Sequence, residues 1–280
     1  MLTKHQIDEF SENGFLVLRS FYDLEKEIKP IQYDIYRIIG ALIEREKLSV
    51  DREPFSPDSF DSGFMELVAH DRALGGVVYD AIKQIPAFVR LLSSEKHEKV
   101  YQLLHGSEFP GIGHGGQGIR IDIPLEEEFR APWHQEYLNQ LRSMQGIVFW
   151  SPLLNVTLSM GPVEFCLGSH KNGVLPVRMI DLNNPNKKGA YAMVVDQEDE
   201  VVSSYTHAAP LLGPGDVALA DYLALHRSGV NSSSRCRWSM QMRYFGFDNE
   251  TAIANSWVGS FASGISVETI HPELVIKEND

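Results

Sequence analysis

Residues 213–238 read Gly-Pro-Gly-Asp-Val-Ala-Leu-Ala-Asp-Tyr-Leu-Ala-Leu-His-Arg-Ser-Gly-Val-Asn-Ser-Ser-Ser-Arg-Cys-Arg-Trp. Gly213-Pro214-Gly215 is a turn signal, and the apolar run it launches reads as a strand over 216–220. The run ends in His226, and Arg237 follows eleven residues later on a returning strand. A hairpin is expected to bring these two side chains together. The same texture extends upstream to Pro110. Beyond the glycine-rich GIGHGGQG, β-branched and aromatic runs broken by Gly and Pro predict strands over 119–123, 146–150, 163–167 and 192–195, with 238–245 following.

The N-terminal part has a different period. Thr3 with Gln6 forms a capping box, and Asn13-Gly14 turns the chain into a short strand, Phe15 to Leu18. Leu24, Ile28, Ile31, Ile35, Ile38 and Leu42 form a stripe at helical spacing. Pro30 lies inside it, so it sits in the first turns or kinks the helix. Residues 51–62, rich in Pro, Ser and Asp, read as a loop. Two or three further helices are expected between Phe64 and Leu104. An α+β chain follows, with helices packed on a jelly-roll sandwich. Residues 1–280 read as a single domain, mainly helical over 1–110 and jelly-roll over 111–250.

Two stretches carry chemistry. In Pro132-Trp133-His134-Gln135-Glu136-Tyr137, an extended backbone would point His134 and Glu136 to the same face. An imidazole and a carboxylate on one point can hold a metal, although a chain with 10 histidines and 38 acidic residues produces such pairs by chance. In the second stretch, a histidine beside a fixed guanidinium suits a cofactor that chelates a metal and presents a carboxylate.

These residues and their order resemble the phytanoyl-CoA dioxygenase-like branch of the iron(II)/2-oxoglutarate-dependent oxygenases. The likeness covers most of the chain. It runs from Asn13-Gly14-Phe15 through Trp133-His134-Gln135-Glu136, Trp150 and Gly161-Pro162 to Leu167-Gly168-Ser169-His170, and it closes with Gly215-Asp216, His226, Ser228, Asn231 and Arg237. The resemblance implies a double-stranded β-helix, cupin-like core in which His134, Glu136 and His226 bind iron(II) as a facial triad. It further implies 2-oxoglutarate and dioxygen as co-substrates, with the distal carboxylate of 2-oxoglutarate at Arg237 and with Ser228 and Trp150 as further contacts. The expected reaction is hydroxylation of an unactivated carbon of a small-molecule metabolite, releasing succinate and carbon dioxide. The same cofactors serve desaturation, epoxidation, cyclisation or demethylation. Two readings from other classes are a jelly-roll protein that only binds a ligand or metal, and a zinc enzyme that activates water.

Two positions depart from the family's pattern. Glu136 stands where aspartate is usual, one methylene longer, and a carboxylate at that position disfavours halogenation. Leu167 fills the place of a proline. Around the site, His170 reads as a turn residue, His105 and His114 as solvent or lid residues, and Arg235 as a surface charge competing with Arg237. Arg120 and Asp122, alternating with Ile119, Ile121 and Ile123, face inward at the barrel mouth, where Arg120 could meet an anionic substrate. Residues 54–61 and 183–199 are candidate lids.

The balance of 38 acidic against 25 basic residues, a net charge of -13, argues against a nucleic-acid partner. No apolar stretch of about 18 residues suggests a membrane span, and the opening MLTKHQIDEF reads as a polar helix start rather than a signal peptide. Two cysteines, Cys166 and Cys236, suit free thiols in a reducing compartment, so the expected location is cytoplasmic. Nothing in the sequence fixes an oligomeric state.

Overall fold

The Thr3 hydroxyl accepts the Gln6 amide N–H at 3.3 Å while Gln6 Oε1 accepts the Thr3 N–H at 2.9 Å, and this reciprocal cap starts α1 (Lys4–Asn13). Gly14, at φ 74°, ends it in a left-handed turn that L side chains rarely adopt. A Cβ there would also strike the His170 ring. Strand β1 (Phe15–Leu18) follows. The computed structural model describes residues 2–181, 187, 192–259 and 264–276.

Pro30 stands in the first turn of α2 (Lys29–Arg45), where its missing N–H has no partner to lose. A π-helical turn, Leu24–Ile28, leads into it. The buried stripe is therefore Ile28, Ile31, Ile35, Ile39 and Leu42, and Leu24 is exposed. Four helices follow rather than two or three: α3 (Phe64–His70), α4 (Arg72–Ile82), α5 (Pro86–Leu92) and α6 (Glu95–His105). Asp71 caps α4, and Pro86 opens α5, so what reads as continuous apolar sequence is cut into pieces of seven to eleven residues. Segments that short carry too few turns for the period to separate them.

The remaining strands are β2 (Pro110–Ile112), β3 (Gly118–Asp122), β4 (Gly146–Pro152), β5 (Val163–Cys166), β6 (Val177–Arg178), β7 (Val194–Val195), β8 (His207–Ala208), β9 (Val217–Asp221), β10 (His226–Ser228) and β11 (Arg237–Gly246). They form an antiparallel sheet in the order β1-β9-β4-β11-β2, with β3 lying end to end with β2 along β11. A smaller sheet, β10-β5-β8, supplies the other wall of the sandwich. This is the α+β jelly-roll architecture expected from the sequence.

Alternation along β11 assigns its two faces. Trp238, Met240, Met242 and Tyr244 are buried against the helices, where Trp238 meets Phe60 and Phe64 edge-on and the Tyr244 hydroxyl donates to the Leu92 carbonyl at 2.7 Å. Arg237, Ser239, Gln241 and Arg243 take the opposite, inward face. Residues 54–61 belong to the helical side. Phe60 is fully buried and Asp61 accepts the Trp238 indole N–H at 3.0 Å, so this segment is part of the packing and not a lid. Of the second candidate lid, residues 183–186 and 188–191 lie outside the described residues.

His226 and Arg237 do not share a hairpin. β10 pairs with β5 in the small sheet, whereas β11 pairs with β4, β2 and β3 in the large one, so the chain crosses the sandwich between them. The crossing is tight: a Cβ on Gly229 would lie 2.8 Å from the Gly161 Cα. Both positions need glycine for backbone to pass over backbone.

His105 is not a solvent residue. It sits against Phe10 and Tyr101, with Nε2 3.8 Å from an Asp221 carboxylate oxygen. Burial pushes Asp221 up to about 7, opposed by a hydrogen bond from the Leu223 N–H, and burial pulls His105 down to about 4. A raised carboxyl contributes stability that is complete below its unfolded pKa of about 4 and lost as pH rises through its folded value. A depressed imidazole does the reverse, contributing above about 6.5 and losing it as pH falls through about 4. Asp221→Asn should therefore melt progressively higher than wild type as pH is raised from about 5 to 8 in thermal scans. Parallel melting curves across that range would show that Asp221 ionises freely in the fold.

Candidate metal centre

His134 and His226 meet as an isolated bridge between backbones, His134 N–H to the His226 carbonyl at 3.0 Å and the reverse at 3.1 Å. Their rings lie 4.3 Å apart between centroids. In each ring Nδ1 faces a backbone carbonyl, Pro132 O at 2.8 Å and Ala224 O at 2.9 Å. A carbonyl only accepts, so Nδ1 carries the proton and each Nε2 presents a lone pair. Burial lowers both imidazoles, His134 to about 3, which keeps them neutral at physiological pH.

Glu136 reaches the same point by a route the sequence does not suggest. The chain is not extended through it: Gln135 is the N-cap and Glu136 the first residue of α7 (Glu136–Gln140). Ligand atoms of His134, Glu136 and His226 nevertheless lie within 4.8 Å of one another, and this set could hold a metal ion. Two imidazole nitrogens and one carboxylate oxygen suit a divalent transition metal, and three protein ligands leave coordination positions for exogenous ligands. Burial alone would raise the Glu136 carboxyl. Arg243, with Nε 2.7 Å from Oε1 and Nη2 3.3 Å from Oε2, overrides burial and holds it down at about 2.

Gln135 fixes the junction. Its Nε2 donates to the Gly173 and Leu223 carbonyls, both at 2.8 Å, and its Oε1 accepts the Leu175 N–H at 2.8 Å. Ser169 does the same behind His226: its hydroxyl donates to the Cys166 carbonyl and accepts the Leu225 N–H, each at 2.8 Å. The Leu167-Gly168-Ser169-His170 turn is thus tied to the strand that carries His226. His170 itself faces away, its Nε2 3.1 Å from the Ser11 carbonyl at the end of α1.

Ser228 and Trp150 line the same pocket as the three candidate ligands, together with Arg120, Asn139, Gln241 and Arg243. Arg237 does not line it. It lies deeper, 1% exposed, with Nε and Nη2 on Asp122 Oδ2 at 3.2 and 2.9 Å. Asp122 Oδ1 takes Arg120 Nε at 2.7 Å. Burial pushes the Asp122 carboxyl up, but the two flanking guanidiniums hold it below its ordinary value. Arg237 Nη1 and the Ser239 hydroxyl, two residues along the same face, are buried without a hydrogen-bond partner. Orphaned donors of this kind are costly unless a ligand meets them, and one guanidinium N–H group plus a hydroxyl can donate to a carboxylate. Arg235 is committed elsewhere, to Asp61 at 2.6 Å and the Asp58 carbonyl at 2.7 Å.

The family model described as Phytanoyl-CoA dioxygenase (PhyH) matches residues 10–239. The chain belongs to the phytanoyl-CoA dioxygenase family. It is accordingly an iron(II)- and 2-oxoglutarate-dependent oxygenase, an oxidoreductase. The phytanoyl-CoA dioxygenase domain-containing protein 1 homolog of Dictyostelium discoideum is 23% identical over 288 residues, covering 92% of this chain and 97% of its own. Among solved structures, EctD from S. alaskensis with 2-oxoglutarate and 5-hydroxyectoine is similar in fold, with a TM-score of 0.56, 17% identity, and coverage of 89% of this chain and 77% of that one. EvdO2 from Micromonospora carbonacea var. aurantiaca complexed with 2-oxoglutarate gives 0.52 and 16%, with coverage of 88% and 91%.

Sequence reading did not single out Arg243, Gln135 or Ser239 for this oxygenase. The available signal was parity: Ser239, Gln241 and Arg243 share the face of Arg237 on a strand whose other face is wholly apolar. Gln135→Met should leave three backbone groups without partners and destabilise the fold by about 2–4 kcal/mol, read as a lower urea midpoint at unchanged slope. A midpoint equal to wild type would mean that the loop holds without the staple.

Proposed function

We propose that this oxygenase hydroxylates an unactivated carbon of a small-molecule metabolite, with His134, Glu136 and His226 as the iron(II) ligands. Arg237 receives the distal carboxylate of 2-oxoglutarate, with Ser239 beside it and Ser228 and Trp150 along its path. The observation that carries this reading is the pair of imidazoles whose Nδ1 protons are spent on carbonyls and whose partner carboxylate lies within 4.8 Å. When bound, iron(II) and 2-oxoglutarate supply the chemistry that couples dioxygen cleavage to formation of succinate and carbon dioxide.

The chain's own residues position and shield. Val148, Trp150, Val163, Phe165 and Ala220 form apolar walls around the pocket and limit water at the reacting centre. Asp122 shares its charge between Arg120 and Arg237, which orients the Arg237 fork while leaving Nη1 to donate inward. Asn139, on the first helical turn after the metal motif, stands where substrate polar groups would pass.

A hydrophobic core that runs from Phe10 through the helices and both sheets to Val267 supports treating 1–280 as one dioxygenase domain. Two free, buried thiols, Cys166 and Cys236, favour a reducing compartment such as the cytoplasm. Among the described residues no helix is long and apolar enough to cross a membrane.

His134→Ala or His226→Ala should abolish succinate formation from 2-oxoglutarate, and full turnover in either variant would remove the metal assignment. Arg237→Ala should raise the 2-oxoglutarate concentration for half-maximal turnover about 100-fold, the loss expected for one partner of a buried ion pair. An unchanged requirement would place the carboxylate elsewhere.

A further inference from the structure

Glu136 is held more tightly than a metal ligand requires. Its Oε1 takes two donors, Arg243 Nε at 2.7 Å and Gln140 Nε2 at 3.1 Å, whereas its Oε2 takes the longer bond from Arg243 Nη2 at 3.3 Å. Arg243 is itself fixed. Nη2 donates to Gln241 Oε1 at 3.0 Å, Nη1 donates to the Gly116 carbonyl, and the side chain is buried in the wall formed by β11. Gly116 belongs to the glycine-rich connection ahead of β3, and a Cβ there would meet Gln140 and Arg243 atoms at 2.4–2.9 Å. The glycine thus lets the backbone approach close enough to clamp the guanidinium.

A glutamate has one more rotatable bond than the aspartate it replaces, and its carboxylate can chelate a metal through both oxygens. A second oxygen on iron would take a position that 2-oxoglutarate or dioxygen needs. The two oxygens here are unequal: Oε1 is engaged by two nitrogens at 2.7 and 3.1 Å, and Oε2 by one at 3.3 Å, which leaves Oε2 the greater lone-pair capacity.

We propose that Arg243 is the positioning residue for the carboxylate ligand: its fork, clamped by Gly116 and Gln241, engages Glu136 Oε1 more closely than Oε2, so that iron is bound through Oε2 alone. This rests on the proposed function, and it adds a determinant of how many coordination positions stay open. Planarity is essential to it, because a fixed planar fork gives the two oxygens unequal bonds, whereas a point charge imposes no such difference.

The test uses Arg243→Met and Arg243→Lys, each checked for folding by circular dichroism and thermal melting. Anaerobic iron(II) is added to the full chain, and 2-oxoglutarate is titrated while the weak visible charge-transfer band is followed; manganese(II) binding is read separately by electron paramagnetic resonance. Wild type should develop the band. Both variants should bind manganese(II) within about tenfold of wild type yet need at least tenfold more 2-oxoglutarate for half the band, or show it displaced. If Arg243→Met does not fold, Arg243→Lys decides alone. A folded variant whose band position and half-saturation lie within twofold of wild type would overturn the proposal. Loss of manganese(II) binding in a folded Arg243→Met would overturn it too, showing that Arg243 serves retention of the metal and not denticity. Absence of the band in wild type is a different failure, that of the proposed function itself, and the inference falls with it.

Discussion

Strand β11 must satisfy two incompatible environments at once, and the rest of the molecule is arranged around that constraint. One face offers Trp238, Met240, Met242 and Tyr244 to the helices; the other carries Arg237, Ser239, Gln241 and Arg243 into the sandwich. A one-residue slip would place two guanidiniums in the helical core and apolar side chains such as Met242 in the metal pocket. Register is therefore fixed by chemistry on both sides. The six-stranded sheet, with β4 on one flank and β2 and β3 on the other, is built on that single alignment.

Burying two arginines on an inward face is tolerable only because each meets a carboxylate. Arg237 meets Asp122, 2.9 Å away, and Arg243 meets Glu136, 2.7 Å away. Desolvating an ion is expensive, and a mutual attraction offsets that only with good geometry and further hydrogen bonds. Both pairs have them, from Arg120 on Asp122 and from Gln140 on Glu136. The pairs differ in what they leave over. Around Arg237 a donor remains without a partner and suits an anion, while the Glu136 carboxylate beside the two imidazoles suits a cation. A net charge of -13 describes the outer surface and says little about this interior.

The clustering of the site residues was legible through the order of motifs that carries the family resemblance, and not from the His134/Glu136 pair alone. His134, Glu136 and His226 converge, and Ser228 and Trp150 line the same pocket. Strand positions were legible too, because period-two alternation bounded by Gly and Pro is a local signal; β3, β4, β9 and β11 fall within two residues of expectation at each end. Pairing was not. Whether 226 and 237 make a hairpin depends on which sheet each joins, and that is decided by partners more than 60 residues away, such as Phe165 for His226 and Asp122 for Arg237. Strands of two or three residues, and helices of seven, are likewise set by tertiary context and leave too few periods to read.

The junction at 134–136 shows why a glutamate fits where the backbone turns. Were the segment extended, side chains two apart would point the same way and a short carboxylate would suffice. Here Gln135, bonded to three backbone groups, ends the extended stretch and the next residue is already helical. Helical Cβ atoms tilt toward the helix N-terminus, so the Glu136 side chain starts back toward His134 but from a displaced origin. One further methylene spans the displacement. The added torsion costs rotamer entropy, of order 1 kcal/mol when frozen. The Arg243 fork and the Gln140 amide supply the bonds that freeze it. Length, turn and counter-ion thus bear on the same carboxylate.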